Sequence, residues 1–169
     1  MNAHWQRHAA LQDTIRQRLQ DPLMDTKAVV YHADFSTTVD NWEPMWTEVA
    51  LSVRDHYLLT TRDAKEDYAY CYSWRSVSVT AGTYLLIGEL KIDSPTFIFG
   101  GFGAWSGDRT IAWVPIIPTT SLAPLNVVFN VPADGNIELE FGAYALIEDD
   151  NLDQMSSWVT NVSLIRVND

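Results

Sequence analysis

The chain has 169 residues and a net charge of −11, and its composition is 47% hydrophobic and 20% charged. This length suits one domain with a buried core, and the composition is that of a globular protein rather than a disordered one. The negative charge argues against binding to nucleic acid or to an anionic membrane surface, because both need clustered Lys and Arg. The charge is uneven, since residues 1–27 carry +1 and the remainder carries −12.

The N-terminal segment has the pattern of an amphipathic helix. Apolar side chains recur at three- and four-residue spacing over residues 3–20, and Asp21-Pro22 marks the end of the pattern. We therefore predict a helical arm over residues 1–26, followed by a separate domain over residues 27–169. The apolar face of this helix either packs on its own domain or docks on another chain. Its predicted partner-binding residues are Trp5, Leu11, Ile15 and Leu19.

After residue 26 the pattern changes to short stretches of alternating apolar and polar residues, separated by turn residues. Many short strands without an internal helix pattern or a repeat indicate an all-β sandwich or barrel. The predicted strands cover residues 29–35, 47–53, 57–61, 68–79, 84–92, 96–105, 109–117, 125–131, 137–147 and 157–167.

Four segments of the body carry a resemblance to a known family. They are Asp34-Phe35 with Asn41-Trp42, residues 77–84 (VSVTAGTY), residues 129–132 (FNVP) with 137–141 (IELEF), and residues 158–164 (WVTNVSL). In this order they resemble the carbohydrate-binding modules with a galactose-binding-like layout, and the resemblance spans roughly residues 29–167. It implies a jelly-roll β-sandwich of two antiparallel sheets. The fold hosts many functions, so the resemblance is specific for the fold alone.

Catalytic residues are not evident. Cys71, the single cysteine, lies between aromatic residues in a predicted strand, where a cysteine is usually a small apolar filler. Glu138 and Glu140 share one face of a strand, and we interpret them as surface carboxylates that aid solubility rather than as an acid/base pair. The histidines also lack metal-ligand spacing; they are His4, His8, His32 and His56. We expect no enzymatic activity.

The most metal-like stretch is an acidic loop near the C-terminus. Asp149, Asn151 and Asp153 stand at alternate positions, as in an EF-hand loop. The match then fails, because Gln154 stands where glycine is needed and Thr160 where a bidentate glutamate is needed. We favour a solvated loop, with a structural calcium ion as the alternative, and expect no other cofactor.

The aromatic residues give the best indication of a binding function. Sugars present flat C–H faces that pack on exposed Trp and Tyr rings, while nearby polar groups bind the hydroxyls. The alternative is that one side of each strand fills the core. The predicted carbohydrate-binding residues are Tyr72, Trp74, Trp105 and Trp113.

Two functions follow from these observations. Small jelly rolls of the resembled kind recur in bacteriophage virions as capsid cement, decoration or tail-associated proteins, so our first prediction is a non-enzymatic virion accessory protein. It would be made in the host cytoplasm without a signal peptide, and its partners would be further copies of itself or a capsid or tail protein. The alternative is a lectin-like or receptor-binding module that binds glycans.

Overall fold

The computed structural model describes residues 29–62, 68–93, 97–116, 121–146 and 155–167. The predicted N-terminal helix with Trp5, Leu11, Ile15 and Leu19 lies outside these ranges, as do Asp149, Asn151 and Asp153. Within the described ranges, no helix has the length and apolar composition needed to cross a bilayer.

The described residues form β-strands joined by turns. In chain order the strands are β1 (Val29–Ala33), β2 (Glu43–Pro44), β3 (Val49–Arg54), β4 (Tyr57–Arg62), β5 (Tyr68–Val79), β6 (Gly82–Asp93), β7 (Phe97–Ser106), β8 (Arg109–Ile116), β9 (Ala123–Val131), β10 (Gly135–Leu146) and β11 (Met155–Val167). One sheet has the order β3-β4-β11-β6-β9, with β1 also paired to β11, and the other has the order β2-β5-β10-β7-β8. All pairs are antiparallel. The prediction of an all-β jelly-roll sandwich with two antiparallel sheets is confirmed.

The core lies between the two sheets and is built by alternation along each strand. In β10, Leu139 and Phe141 are fully buried, whereas the intervening Glu140 lies on the outer face of its sheet. Trp42 packs on Phe141 with ring centroids 5.1 Å apart. The Trp42 indole N–H donates a hydrogen bond of 2.8 Å to the Tyr31 hydroxyl, so its polar atom is satisfied inside the core.

Strand β11 is central because it changes partner along its length. Its first half pairs with β4 and its second half with β1, while β6 pairs along its other edge. The register shifts between Thr160 and Ser163, where Asn161 adopts a φ of 52°. The Thr160 hydroxyl donates a 2.7 Å hydrogen bond to the His56 carbonyl at this bulge. The bulge lets one long strand serve two shorter neighbours.

Cys71 is fully buried between the sheets, as the sequence predicted. Its thiol donates to the Thr60 carbonyl over 3.0 Å, and burial raises the pKa of the thiol to about 12. A thiol in this state is protonated at neutral pH and is a poor nucleophile. Cys71 is therefore part of the packing of the sandwich.

Candidate functional site

The four predicted carbohydrate-binding residues lie on one surface, the outer face of the five-stranded sheet. Tyr72 and Trp74 alternate in β5 with the fully buried Cys71 and Ser73 and so point away from the core. Trp105 in β7 and Trp113 in β8 point outward from the other side of the sheet, and their ring centroids are 6.4 Å apart. We call the surface formed by Tyr72, Trp74, Trp105 and Trp113 the aromatic face.

Trp113 occupies the centre of the ring contacts. Its ring centroid lies 6.4 Å from that of Tyr72, at an interplanar angle of 32°, and it meets Trp105 edge-on at 71°. Tyr72 is only 5% exposed and also contacts Trp46, with centroids 6.1 Å apart. Trp74, Trp105 and Trp113 are half-buried. Tyr72 is therefore nearly covered by its neighbours, and the three tryptophans offer ring surface to a ligand.

Glycines under the rings give the aromatic face its flat shape. A Cβ atom at Gly101 would lie 2.6 Å from Cε2 and Cζ2 of Trp113, and one at Gly103 would lie 2.7 Å from its Cε3. A Cβ atom at Gly142 would lie 2.6 Å from Cδ1 of Tyr72. At all three positions the atom nearest to an added Cβ would be a backbone carbonyl oxygen of the neighbouring strand, so a side chain there would displace both that strand and the ring that lies against it. We call Gly101, Gly103 and Gly142 the glycine cradle.

Gly100, Gly101 and Gly103 cluster within β7, a sequence pattern that indicates a bulge or a bend, and the structure gives two of them a further role. Strand β7 continues through Gly101 and Gly103, and its register against β8 shifts only between Ala104 and Trp105. The glycines of the cradle were missed as site residues. The available signal was the clustering of glycines inside an apolar strand, which marks close approach of another group as well as a bulge.

Glu138 and Glu140 lie among the tryptophans rather than on a separate polar surface. In the strand register Glu140 stands between Trp74 and Gly103, and Glu138 stands beside Trp105. Desolvation, followed by the charge of Glu138, raises the pKa of Glu140 to about 7. Among the described residues, neither carboxylate has a salt-bridge partner. The interpretation of both as solubility residues overlooked the partial burial of Glu140, because burial depends on neighbouring strands.

This carboxyl group predicts a pH-dependent stability. The pKa of Glu140 is higher in the folded chain than in the unfolded chain, so its contribution is most favourable below pH 4.5 and is lost as the pH rises through 7. Glu140→Gln removes the cost of ionisation. We expect the variant to be more stable than the wild type at pH 8.5 by about 1–2 kcal/mol, a value reduced for partial solvation. At pH 4 the two should be equal.

Urea unfolding at several pH values measures this difference. Glu48→Gln is the matched control, because Glu48 is exposed outside the aromatic face. A constant difference between Glu140→Gln and the wild type from pH 4 to 8.5 would contradict the assignment.

The other described side chains that could take part in catalysis or metal binding lie apart from one another. The His32 ring nitrogen Nδ1 lies 2.8 Å from the Ser163 hydroxyl, and His56 lies in the turn between β3 and β4. No cluster of three or more His, Cys, Asp or Glu side chains positioned to hold a metal occurs in the part of the chain that the structure describes. The calcium alternative at Asp149, Asn151 and Asp153 stays a prediction, since these residues lie outside that part.

Comparison with known proteins shows which solved structures have a similar fold. No protein-family model and no curated protein sequence matches the chain. Among solved structures, the N-terminal cellulose-binding domain of Cellulomonas fimi β-1,4-glucanase C is 13% identical with a TM-score of 0.60, covering 80% of this chain and 94% of that one.

Two further solved structures give the same result. The CBM22-1 xylan-binding domain of Paenibacillus barcinonensis Xyn10C is 11% identical with a TM-score of 0.55, covering 83% of this chain and 96% of that one. The module TmCBM61, in complex with β-1,4-galactotriose, is 10% identical with a TM-score of 0.52, covering 80% and 92%. At these identities the likeness concerns the fold alone: this chain is similar in fold to carbohydrate-binding modules.

Proposed function

We propose that the chain is a non-catalytic carbohydrate-binding protein and that it binds a glycan on the aromatic face. The observation that carries this proposal is the placement of Trp113. Its indole ring lies along β7 over Gly101 and Gly103 and is held between Tyr72 and Trp105. A ring held in this way offers a flat apolar surface to a pyranose C–H face, and preorganisation lowers the entropic cost of binding.

The polar groups beside the rings complete the chemistry of a glycan site. Glu140 stands between Trp74 and the cradle, within the aromatic face, and Glu138 stands next to Trp105. Carboxylates accept hydrogen bonds from sugar hydroxyls, and such charge-assisted bonds are stronger than neutral ones. Stacking surface and acceptors therefore lie together, as is typical of sites for small polar ligands with apolar faces.

The similar structures support carbohydrate as the ligand class. By their names, those proteins bind cellulose, xylan and β-1,4-galactotriose. The comparisons thus favour the carbohydrate-binding alternative over the virion accessory role. The bacteriophage origin, the virion localisation, self-association and the docking of the Trp5 helix face remain predictions without support from these findings.

Affinity gel electrophoresis against soluble polysaccharides tests the proposal. Gels would contain a β-1,4-glucan, a xylan, a β-1,4-galactan or a β-1,4-glucosamine polymer. We expect at least one polysaccharide to retard the wild-type chain, and Trp113→Ala to abolish the retardation. Trp158→Ala is the matched control, because Trp158 is half-buried on the outer face of the other sheet, beside Lys91. Lack of retardation in every gel, or equal loss in both variants, would refute the proposal.

A further inference from the structure

Acidic side chains and tryptophans alternate across the aromatic face. One cross-strand row runs from Glu43 through Trp74 and Glu140 to Gly103, which pairs with Trp113 in β8. In the neighbouring row Glu138 pairs with Trp105. Because residues directly paired across strands share one side of the sheet, the three carboxylates and three indoles point in the same direction. The members of these rows are Glu43, Trp74, Glu138, Glu140, Trp105 and Trp113.

The described residues supply no cation in the middle of this surface. Within the described residues, the outward positions of β2, β5, β10 and β7 hold neither Lys nor Arg. Arg75 of β5 points to the opposite side, where its guanidinium lies 4.5 Å from the Tyr31 ring centroid and 3.6 Å from the Asp40 carboxylate. Arg109 is exposed at the turn between β7 and β8. The repulsion between Glu138 and Glu140 is therefore relieved either by protonation of Glu140, whose pKa is about 7, or by a cationic ligand.

Three features of the surface favour a positively charged sugar as the ligand. Indole faces attract cations as well as C–H groups. Unpaired carboxylates form short, strong hydrogen bonds with ammonium groups. A negative surface repels uronic acids and sulfated sugars. We infer that the aromatic face binds a glycan whose pyranose rings carry protonated primary amines, a polymer of the glucosamine type. This inference rests on the proposed function and names its ligand class.

Isothermal titration calorimetry with three hexaoses of the same β-1,4 linkage tests the inference. The hexaoses are built of glucosamine, N-acetylglucosamine and glucose, so they differ only at carbon 2. At pH 6.5 the free Glu140 carboxyl group is mostly protonated, since its pKa is about 7, and a bound ammonium group lowers this pKa so that the carboxylate forms. At this pH and low salt we expect the glucosamine hexaose to bind about tenfold tighter than the other two, the effect of one charge-assisted hydrogen bond. Raising the salt concentration should reduce this preference, because counterions screen the attraction.

Charge-removing variants identify the residues that cause the preference. Glu138→Gln and Glu140→Gln keep the size of each side chain and should each weaken glucosamine hexaose binding about tenfold. Both should weaken the binding of the two uncharged hexaoses less, because the hydroxyls of those sugars can still donate hydrogen bonds to the amide oxygen of glutamine. Glu48→Gln, the exposed control, should bind all three ligands like the wild type.

The outcomes separate this inference from the proposed function. If the uncharged hexaoses bind as tightly as the glucosamine hexaose, and Trp113→Ala abolishes that binding, the amine preference is wrong while the glycan site stands. If no hexaose binds, the amine preference fails, and retardation by xylan or β-1,4-galactan decides whether the glycan site stands. If Trp113→Ala leaves binding of the glucosamine hexaose intact, the inference and the aromatic glycan site both fail. A tenfold preference lost in Glu140→Gln, together with loss of binding in Trp113→Ala, supports both.

Discussion

Trp113→Ala is expected to lower glycan affinity by about 30-fold or more. This corresponds to a loss of roughly 2 kcal/mol of binding free energy, as found for a tryptophan at the centre of a binding site. The physical reason is that Trp113 contributes its own ring and also holds two neighbours. Its removal takes away stacking surface and leaves Tyr72 and Trp105 without the ring that separates them. The chain should remain folded, because the inward-facing Leu139 and Phe141 are untouched.

Calorimetry with a glycan identified by gel retardation measures the affinity, and far-ultraviolet circular dichroism verifies the fold. Trp158→Ala removes an equally large, half-buried ring from the opposite sheet and should bind the glycan like the wild type. A folded Trp113→Ala variant with wild-type affinity would remove the central stacking residue from the proposal.

A substitution in the glycine cradle is expected to lower both the melting temperature and the glycan affinity. A methyl group at Gly101 would lie against the Val114 carbonyl oxygen and 2.6 Å from two atoms of the Trp113 ring, so both strand β8 and the ring must move. Overpacking of this kind costs about 1–3 kcal/mol. In a chain of this size Gly101→Ala should therefore lower the melting temperature by roughly 2–10 °C. Glycan affinity should also fall, because the displaced indole no longer lies along β7.

Gly135→Ala is the matched control for the cradle. Nothing lies within 4 Å of a Cβ atom at Gly135, which begins β10. The substitution should keep the melting temperature or raise it slightly, because alanine restricts the unfolded chain. Thermal melts followed by circular dichroism and tryptophan fluorescence measure both variants. Equal melting temperature and affinity in Gly101→Ala and the wild type would show that the cradle does not position Trp113.

Glu140 is expected to affect folding stability and ligand affinity in opposite directions. Its ionisation destabilises the fold at alkaline pH, since desolvation raises the pKa of the carboxyl group to about 7. The same carboxylate is proposed to bind the ligand. Glu140→Gln should thus gain stability and lose affinity for an amino sugar. A residue that costs stability where it serves binding is a common feature of functional sites.

The sequence alone predicted the described strands except the short β2 (Glu43–Pro44), and it predicted which side chains of a strand share a face. Alternation along β5 indicated that Tyr72 and Trp74 point to the same side, and alternation along β10 indicated the same for Glu138 and Glu140. These are local properties, because successive side chains of an extended strand must point to opposite sides. They predicted an all-β sandwich or barrel, and the family resemblance implied the sandwich. The four aromatic residues predicted from the sequence lie on one surface of the structure.

Only the tertiary structure decided which side chains of different strands lie next to one another on the same face of the sheet. Trp74 and Trp113 belong to β5 and β8, and the order β5-β10-β7-β8 places Glu140 and the glycines between them. Strand order and register depend on how distant segments bury their apolar sides together, which no local pattern contains. The near-complete burial of Tyr72 and the raised pKa of Glu140 follow from the same packing, because desolvation is imposed by neighbours from other strands.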